Sequence, residues 1–212
     1  MTGCSSPFTT IDENPESELL WWVGCAPATD AQAQKIARAF AEILNGAGVN
    51  YAVLGEGEQC TCDSARRAGK EDIFFGLATA NIEILNEVEP KRIVTTCPHT
   101  LKNEFPAFGG NYTVIHHTQP INKLVAAGRL KLKRDGLEML TYHGPCYLVR
   151  HNPRSSRHRA RRWAAWGASL VEMPRHGIQS FCITMLNDAR KDLNSDAQVL
   201  DIAEIVAAEL EA

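Results

Sequence analysis

The chain has 212 residues, enough for one large domain or two small ones. Lys plus Arg is 22 and Asp plus Glu is 25, a formal net charge of −3, so no whole-chain basic excess calls for nucleic acid. The apolar run from Leu19 to Ala28 is broken by Gly24 and Pro27 and is too short for a transmembrane segment. An acidic stretch with no basic region precedes it, which argues against a secretory signal and for a cytoplasmic location.

Residues 1–18 are rich in Ser, Thr, Pro and acids and read as a flexible tail. Leu19 to Val23 is a continuous apolar run, as in a strand buried on both faces. Gly24-Cys25-Ala26-Pro27 is a turn. Thr29 or Asp30 opens a helix with Ile36, Ala37, Phe40, Ile43 and Leu44 on one face. Val49 to Leu54 is a second strand, broken by Gly55 to Gly57 and followed by Cys60-Thr61-Cys62. Asp63 or Ser64 caps a second helix carrying Ile73, Leu77, Ile82 and Leu85. Arg92 to Thr96 is a third strand, ending at Cys97-Pro98-His99. Leu101 to Phe105 is a helical turn, Tyr112 to His116 a fourth strand, and Pro120 to Leu130 an amphipathic stretch.

Strand–helix alternation with short connections predicts an α/β fold with a parallel sheet. Of the seven cysteines, Cys25, Cys60 and Cys97 each follow a strand closely. In such folds the carboxyl ends of the strands share one edge, where ligands bind. Three thiols from distant parts of the chain are therefore expected at that edge. An odd cysteine count in a chain without an export signal argues against a disulfide scaffold.

A second copy begins near Leu140-Thr141-Tyr142-His143-Gly144-Pro145-Cys146. Cys25 and Cys60 are 35 residues apart, and Cys146 and Cys182 are 36 apart. Ser169 to Met173 stands before Cys182 as Tyr51 to Leu54 stands before Cys60. Thr184-Met185-Leu186-Asn187-Asp188 matches Thr100-Leu101-Lys102-Asn103-Glu104, and the strand at Val199 with the helix after it matches the strand at Val114. Between Cys182 and Thr184 this copy lacks a counterpart of residues 63–97, so it is expected to be a strand and a helix short and less stable. The expected organisation is two tandem Rossmann-like repeats: a tail at 1–18, a first cysteine-rich repeat at 19–139 and an incomplete second one at 140–212. Arg150 to Arg162 holds six arginines and two histidines, read as a solvated basic helix or a patch for an acidic partner.

These residues resemble the cysteine-rich, or CCG, domain family. The stretches that carry the likeness are Leu20 to Cys25, Cys60 to Gly69, Val94 to His99, Leu101 to Glu104 and Tyr142 to Leu148. Such domains occur in heterodisulfide reductase and in the iron–sulfur subunit of glycolate oxidase. The likeness is strongest to the C-terminal part of electron-transfer-flavoprotein:quinone reductase-type proteins. It implies an iron–sulfur electron-transfer subunit or fragment of an oxidoreductase, with a [4Fe-4S]-type cluster. Electrons would pass between a flavin or ferredoxin-type donor and a disulfide or quinone acceptor. The implied partners are redox proteins, including a membrane-associated quinone-reducing subunit, which would hold the chain at the inner face of the membrane.

The resemblance gives Cys25, Cys60, Cys97 and Cys146 as cluster-binding residues, with Cys62 and Cys182 as further metal ligands. At Cys62 the family commonly has glycine. Thr100 stands where the family pattern has a second cysteine after Cys97, and the second copy has no Cys-Cys-Gly. A four-thiolate site is therefore expected in the first copy, or by sharing between copies, with weak cluster occupancy. His99, His116, His117 and His143 lie beside candidate ligands. The alternative is a non-catalytic remnant that binds zinc, or no metal, and acts as an interaction domain; zinc would want four tetrahedral ligands.

Overall fold

The computed structural model describes residues 8–97, 112–133, 141–142, 175–177 and 180–211, with residues 141–142, 175–177 and 180–182 as backbone alone. The fold is built on a four-stranded parallel sheet. Its strands are β1 (Leu19–Trp22), β2 (Tyr51–Val53), β3 (Ile93–Thr95) and β4 (Val114–His116), in the order β2-β1-β3-β4. Central β1 pairs Leu20 with Ala52 on one side and with Ile93 on the other. Every residue of β1 is buried, as the unbroken apolar run requires.

Alternate side chains of β1 enter two cores. Leu19 and Trp21 face the larger one, with Phe40, Ile43 and Leu44 of α2 (Ala31–Gly46) and with Ile121 and Leu124 of α5 (Thr118–Ala126). Leu20 and Trp22 face the other, with Ile82 and Leu85 of α4 (Glu71–Val88). Trp21 is closed in by edge-on rings of Phe8 and Phe40, at 5.4 and 5.1 Å between centroids. Two short helices complete this unit, α1 (Ala26–Thr29) and α3 (Asp63–Arg67).

The remaining described elements are β5 (Thr141–Tyr142), β6 (Arg175–Gly177), α6 (Ser180–Asp192), β7 (Gln198–Leu200) and α7 (Ile202–Ala208). The strands form a second parallel sheet in the order β5-β6-β7. Ile183, Val199, Ala203 and Val206 are buried in the same core as Trp21 and Phe40. These described residues of the 180–211 segment thus help to close the core around β1.

Polar groups fix that closure. His117, one residue past β4, donates from Nε2 to Asp201 Oδ1 at 2.8 Å, both groups buried. Asp201 also caps α7 by accepting from the Ala203 amide, and Glu204 completes a capping box. Glu204 in turn accepts from Gln32 Nε2 on α2 at 2.8 Å.

Several local expectations change. Residues 9–11 are no free tail: Thr10 bridges to Val53, the Ile11 amide donates to Val53 O, and the Val53 amide donates to Thr9 O. They cover the outer edge of β2, which would otherwise present unpaired backbone groups. The helix after Cys62 is two helices, broken near Gly69 (φ +81). The N-cap position of the first of them is Cys62, which makes no side-chain capping hydrogen bond, and Asp63 lies inside the first turn. That break rotates α4, so Ile73 is 48% exposed and Phe74 takes the buried position. Cys182 lies within helix α6, whereas Cys60 lies in a loop. Residues 101–105 and 169–173 lie outside the described residues, as do Cys4, Pro98, His99, Thr100, His143, Cys146 and the basic stretch 150–162.

Asp201→Ala removes a helix cap worth about 1 kcal/mol. It also strands a buried imidazole nitrogen at roughly 1–3 kcal/mol. Denaturant unfolding should show that loss, whereas exposed Asp192→Ala should stay within about 0.5 kcal/mol of the parent.

Candidate functional site

All four strands of the main sheet run parallel, so the loops leaving them emerge at one edge. Cys25 follows β1, Cys60 and Cys62 follow β2, and Cys97 follows β3. The Sγ atoms of Cys25 and Cys60 are 3.4 Å apart. The Cys62 amide donates to Cys60 Sγ at 3.3 Å. A Cβ built on Gly24 would lie 3.5 Å from Cys97 Cβ, which brings the β3 loop against the β1 loop. The sheet edge thus collects the thiols expected there. Cys25 is exposed and the other three are partly buried.

Buried and partly buried side chains set these loops. Glu58 is the main one: its carboxylate accepts from the Val23 amide at 2.8 Å and from the Gly24 amide. It thereby ties the loop before Cys60 to the loop before Cys25. Gly24 has φ +91, a region where a side chain is strained, and that conformation presents its amide to Glu58. Asn81 of α4 donates from Nδ2 to the Cys60 carbonyl at 3.2 Å. The Cys97 amide donates to Thr95 Oγ1 at 3.0 Å, and Thr96 Oγ1 donates to Val23 O at 3.0 Å. The sequence did not mark Glu58, Asn81 or Thr95. A single carboxylate two residues before a cysteine carries no periodic signal, and its partners lie 34 and 35 residues away.

Electrostatics divide the two close sulfurs. The Cys60 thiol is pulled down to about 6, chiefly by the hydrogen bond from Cys25 and further by the Cys62 amide. Cys25 is raised in return, first by that hydrogen bond, then by burial and by the negative charge of Cys60. Cys62 is raised by burial and by the charge of Cys60. Burial pushes the Glu58 carboxyl up to about 7 against the opposing pull of its two amides.

Cys62 has φ 58 and ψ 20, a left-handed backbone in which glycine rests without strain and other residues do not. The histidines fare differently from the thiols. His116 is bonded to Thr118 Oγ1 at 2.9 Å and His117 to Asp201, both inside the core.

The family model of the cysteine-rich domain matches residues 19–100. The matched segment contains β1, β2, β3 and all four gathered cysteines. The chain is 38% identical over 174 residues to the EtfAB:quinone oxidoreductase of Syntrophomonas wolfei, covering 81% of this chain and 24% of that protein. It is 40% identical over 173 residues to the probable iron-sulfur-binding oxidoreductase FadF of Bacillus subtilis, covering 80% and 24%. It is 27% identical over 242 residues to a subunit of the dihydromethanophenazine:CoB--CoM heterodisulfide reductase of Methanosarcina barkeri, covering 91% and 59%. The chain thus spans about a quarter of the length of the first two relatives. No solved structure matches the chain.

The donor set of the cysteine-rich domain suits an iron–sulfur cluster in kind: soft sulfur ligands, one of them already drawn toward thiolate. Among the described residues, no three Cys, His, Asp or Glu side chains converge on the position of one metal ion. A tetrahedral zinc site is not pre-assembled among them.

The raised carboxyl of Glu58 gives a pH signature in the iron-free chain. Between its ordinary value of 4.5 and its folded value of about 7, the folded chain holds a proton that the unfolded chain releases. Stability should therefore fall as pH rises through that window, by up to about 3 kcal/mol, and level off above it. Denaturant unfolding at several pH values should show this slope, and Glu58→Gln should flatten it.

Proposed function

We propose that this chain is an iron–sulfur electron-transfer segment of a cysteine-rich-domain oxidoreductase. The observation that carries the reading is the meeting of Cys25, Cys60, Cys62 and Cys97 at one sheet edge, inside the segment that matches the family. Cys25, Cys60 and Cys97 are the cluster-holding thiolates of this reading, with Cys62 beside them. The names of the relatives, a quinone oxidoreductase, an iron-sulfur-binding oxidoreductase and a heterodisulfide reductase, support the same chemistry.

When bound, a [4Fe-4S]-type cluster supplies one-electron transfer. The chain's own residues then have three tasks. The thiolates hold iron. Glu58, Asn81 and Thr95 fix the loops on which the thiolates stand. The apolar layer of Trp21, Trp22 and Val94 beneath the edge keeps water from the sheet side. The proposed donor is a flavin or ferredoxin-type protein and the proposed acceptor a quinone or a disulfide. Among the described residues no helix is long and apolar enough to cross a membrane. The proposed contact with the membrane is through a quinone-reducing partner at the cytoplasmic face.

The finer architecture belongs to the same proposal: two tandem Rossmann-like repeats, at 19–139 and 140–212. The second parallel sheet supports it. In that sheet β6 lies between β5 and β7, as β3 lies between β1 and β4. Cys182, which follows β6, is then the counterpart of Cys97 and not of Cys60. Cys146, after β5, would be the counterpart of Cys25, and Cys146 and Cys182 would supply thiolates shared between the repeats.

Protein purified without oxygen should contain iron and sulfide and show the broad visible absorption of a cluster. Cys97→Ser should lower the iron content several-fold, and Cys4→Ser should leave it unchanged. Equal iron in the two variants removes the assignment. A colourless protein holding zinc favours the interaction-domain reading.

A further inference from the structure

We propose that Cys25 and Cys60 are a reversible dithiol–disulfide pair that closes whenever no cluster holds them. Their sulfurs are 3.4 Å apart, and a disulfide bond is about 2.05 Å, so closure needs little more than side-chain rotation and a small loop shift. The loops carrying them are already tied by Glu58 through the Val23 and Gly24 amides. Cys25 is exposed, so a small reagent reaches the pair from solvent. The Cys62 amide donates to Cys60 Sγ at 3.3 Å, a contact that helps hold that sulfur in place.

The oxidant is a small-molecule disulfide of the glutathione kind. The Cys60 thiolate attacks one of its sulfurs. The S–S bond of the reagent breaks, Cys60 carries a mixed disulfide, and the first thiolate leaves. That leaving thiolate takes the proton of Cys25. The Cys25 thiolate then attacks Cys60 Sγ, the mixed disulfide breaks, and the second thiolate leaves and takes a proton from water. Two protein thiols are oxidised, one reagent disulfide is reduced to two thiols, and excess reagent thiol reverses the sequence. In the closed state both sulfurs are withheld from iron. The pair would thus set whether the site can be loaded, a role separate from electron transfer through a loaded site.

The test uses the full chain, freed of iron by a chelator, and reads thiols by alkylation and peptide mass spectrometry. Incubation with oxidised glutathione should remove two free thiols and yield one linked Cys25–Cys60 peptide pair. Excess reduced glutathione should restore both thiols. Cys62→Ser should keep the link. Cys25→Ser should instead stop at one glutathione on Cys60. A Cys60–Cys62 or Cys25–Cys97 link overturns the proposal. So does scrambled pairing among the cysteines, or a chain that forms no internal disulfide. Because iron is not read, failure here leaves the cluster assignment intact. Conversely, a thiol form that takes up no iron and sulfide leaves the disulfide result standing.

Discussion

Strand β1 has no exposed face, and the rest of the molecule is arranged around that constraint. A strand buried on both sides must have helices on both sides and strands along both edges. The helices α2, α5 and α7 cover Leu19 and Trp21, and α4 covers Leu20 and Trp22. Along its edges lie β2 and β3, both parallel to it. Parallel pairing then forces every following loop to leave from the same end. Cys25, Cys60, Cys62 and Cys97 meet there as a consequence of how β1 is buried, with Glu58 supplying the local alignment.

Most of that frame was legible in the sequence because it rests on local pattern. The unbroken Leu19–Trp22 run, the 3.6-residue face of α2 and the strand-then-cysteine order each survive without knowledge of distant contacts. The elements that were misread depend on what lies across space. Thr9 to Ile11 look like polar tail but complete the edge of β2. Ile73 has the spacing of a core residue, yet the turn at Gly69 places Phe74 in the core instead.

The repeat gives the sharper lesson. Equal cysteine separations in the two copies paired Cys182 with Cys60. The strand order β5-β6-β7 supports another pairing, with Cys97, because position in a sheet follows hydrogen bonding and not loop length. The side chains that hold the sulfur loops were beyond reach for a related reason. Glu58 matters because of the amides it meets, and an amide has no letter in a sequence. The left-handed backbone at Cys62, a conformation glycine takes freely, likewise leaves no trace in a sequence that places cysteine there.

The packing of α7 on α2 has a consequence for the order of assembly. During synthesis β1, α2 and β2 emerge long before residue 202. The face of α2 that carries Gln32, and the core around Phe40, wait for Ala203 and Val206 to arrive. Contacts so distant along the chain form late and slowly. Cys25 and Cys60 leave the ribosome before β3 exists to set Cys97 beside them. The nascent chain therefore passes through a stage with two adjacent thiols and an unfinished core. Its yield of native protein should depend on how reducing the surroundings are at that stage, quite apart from how stable the finished fold becomes.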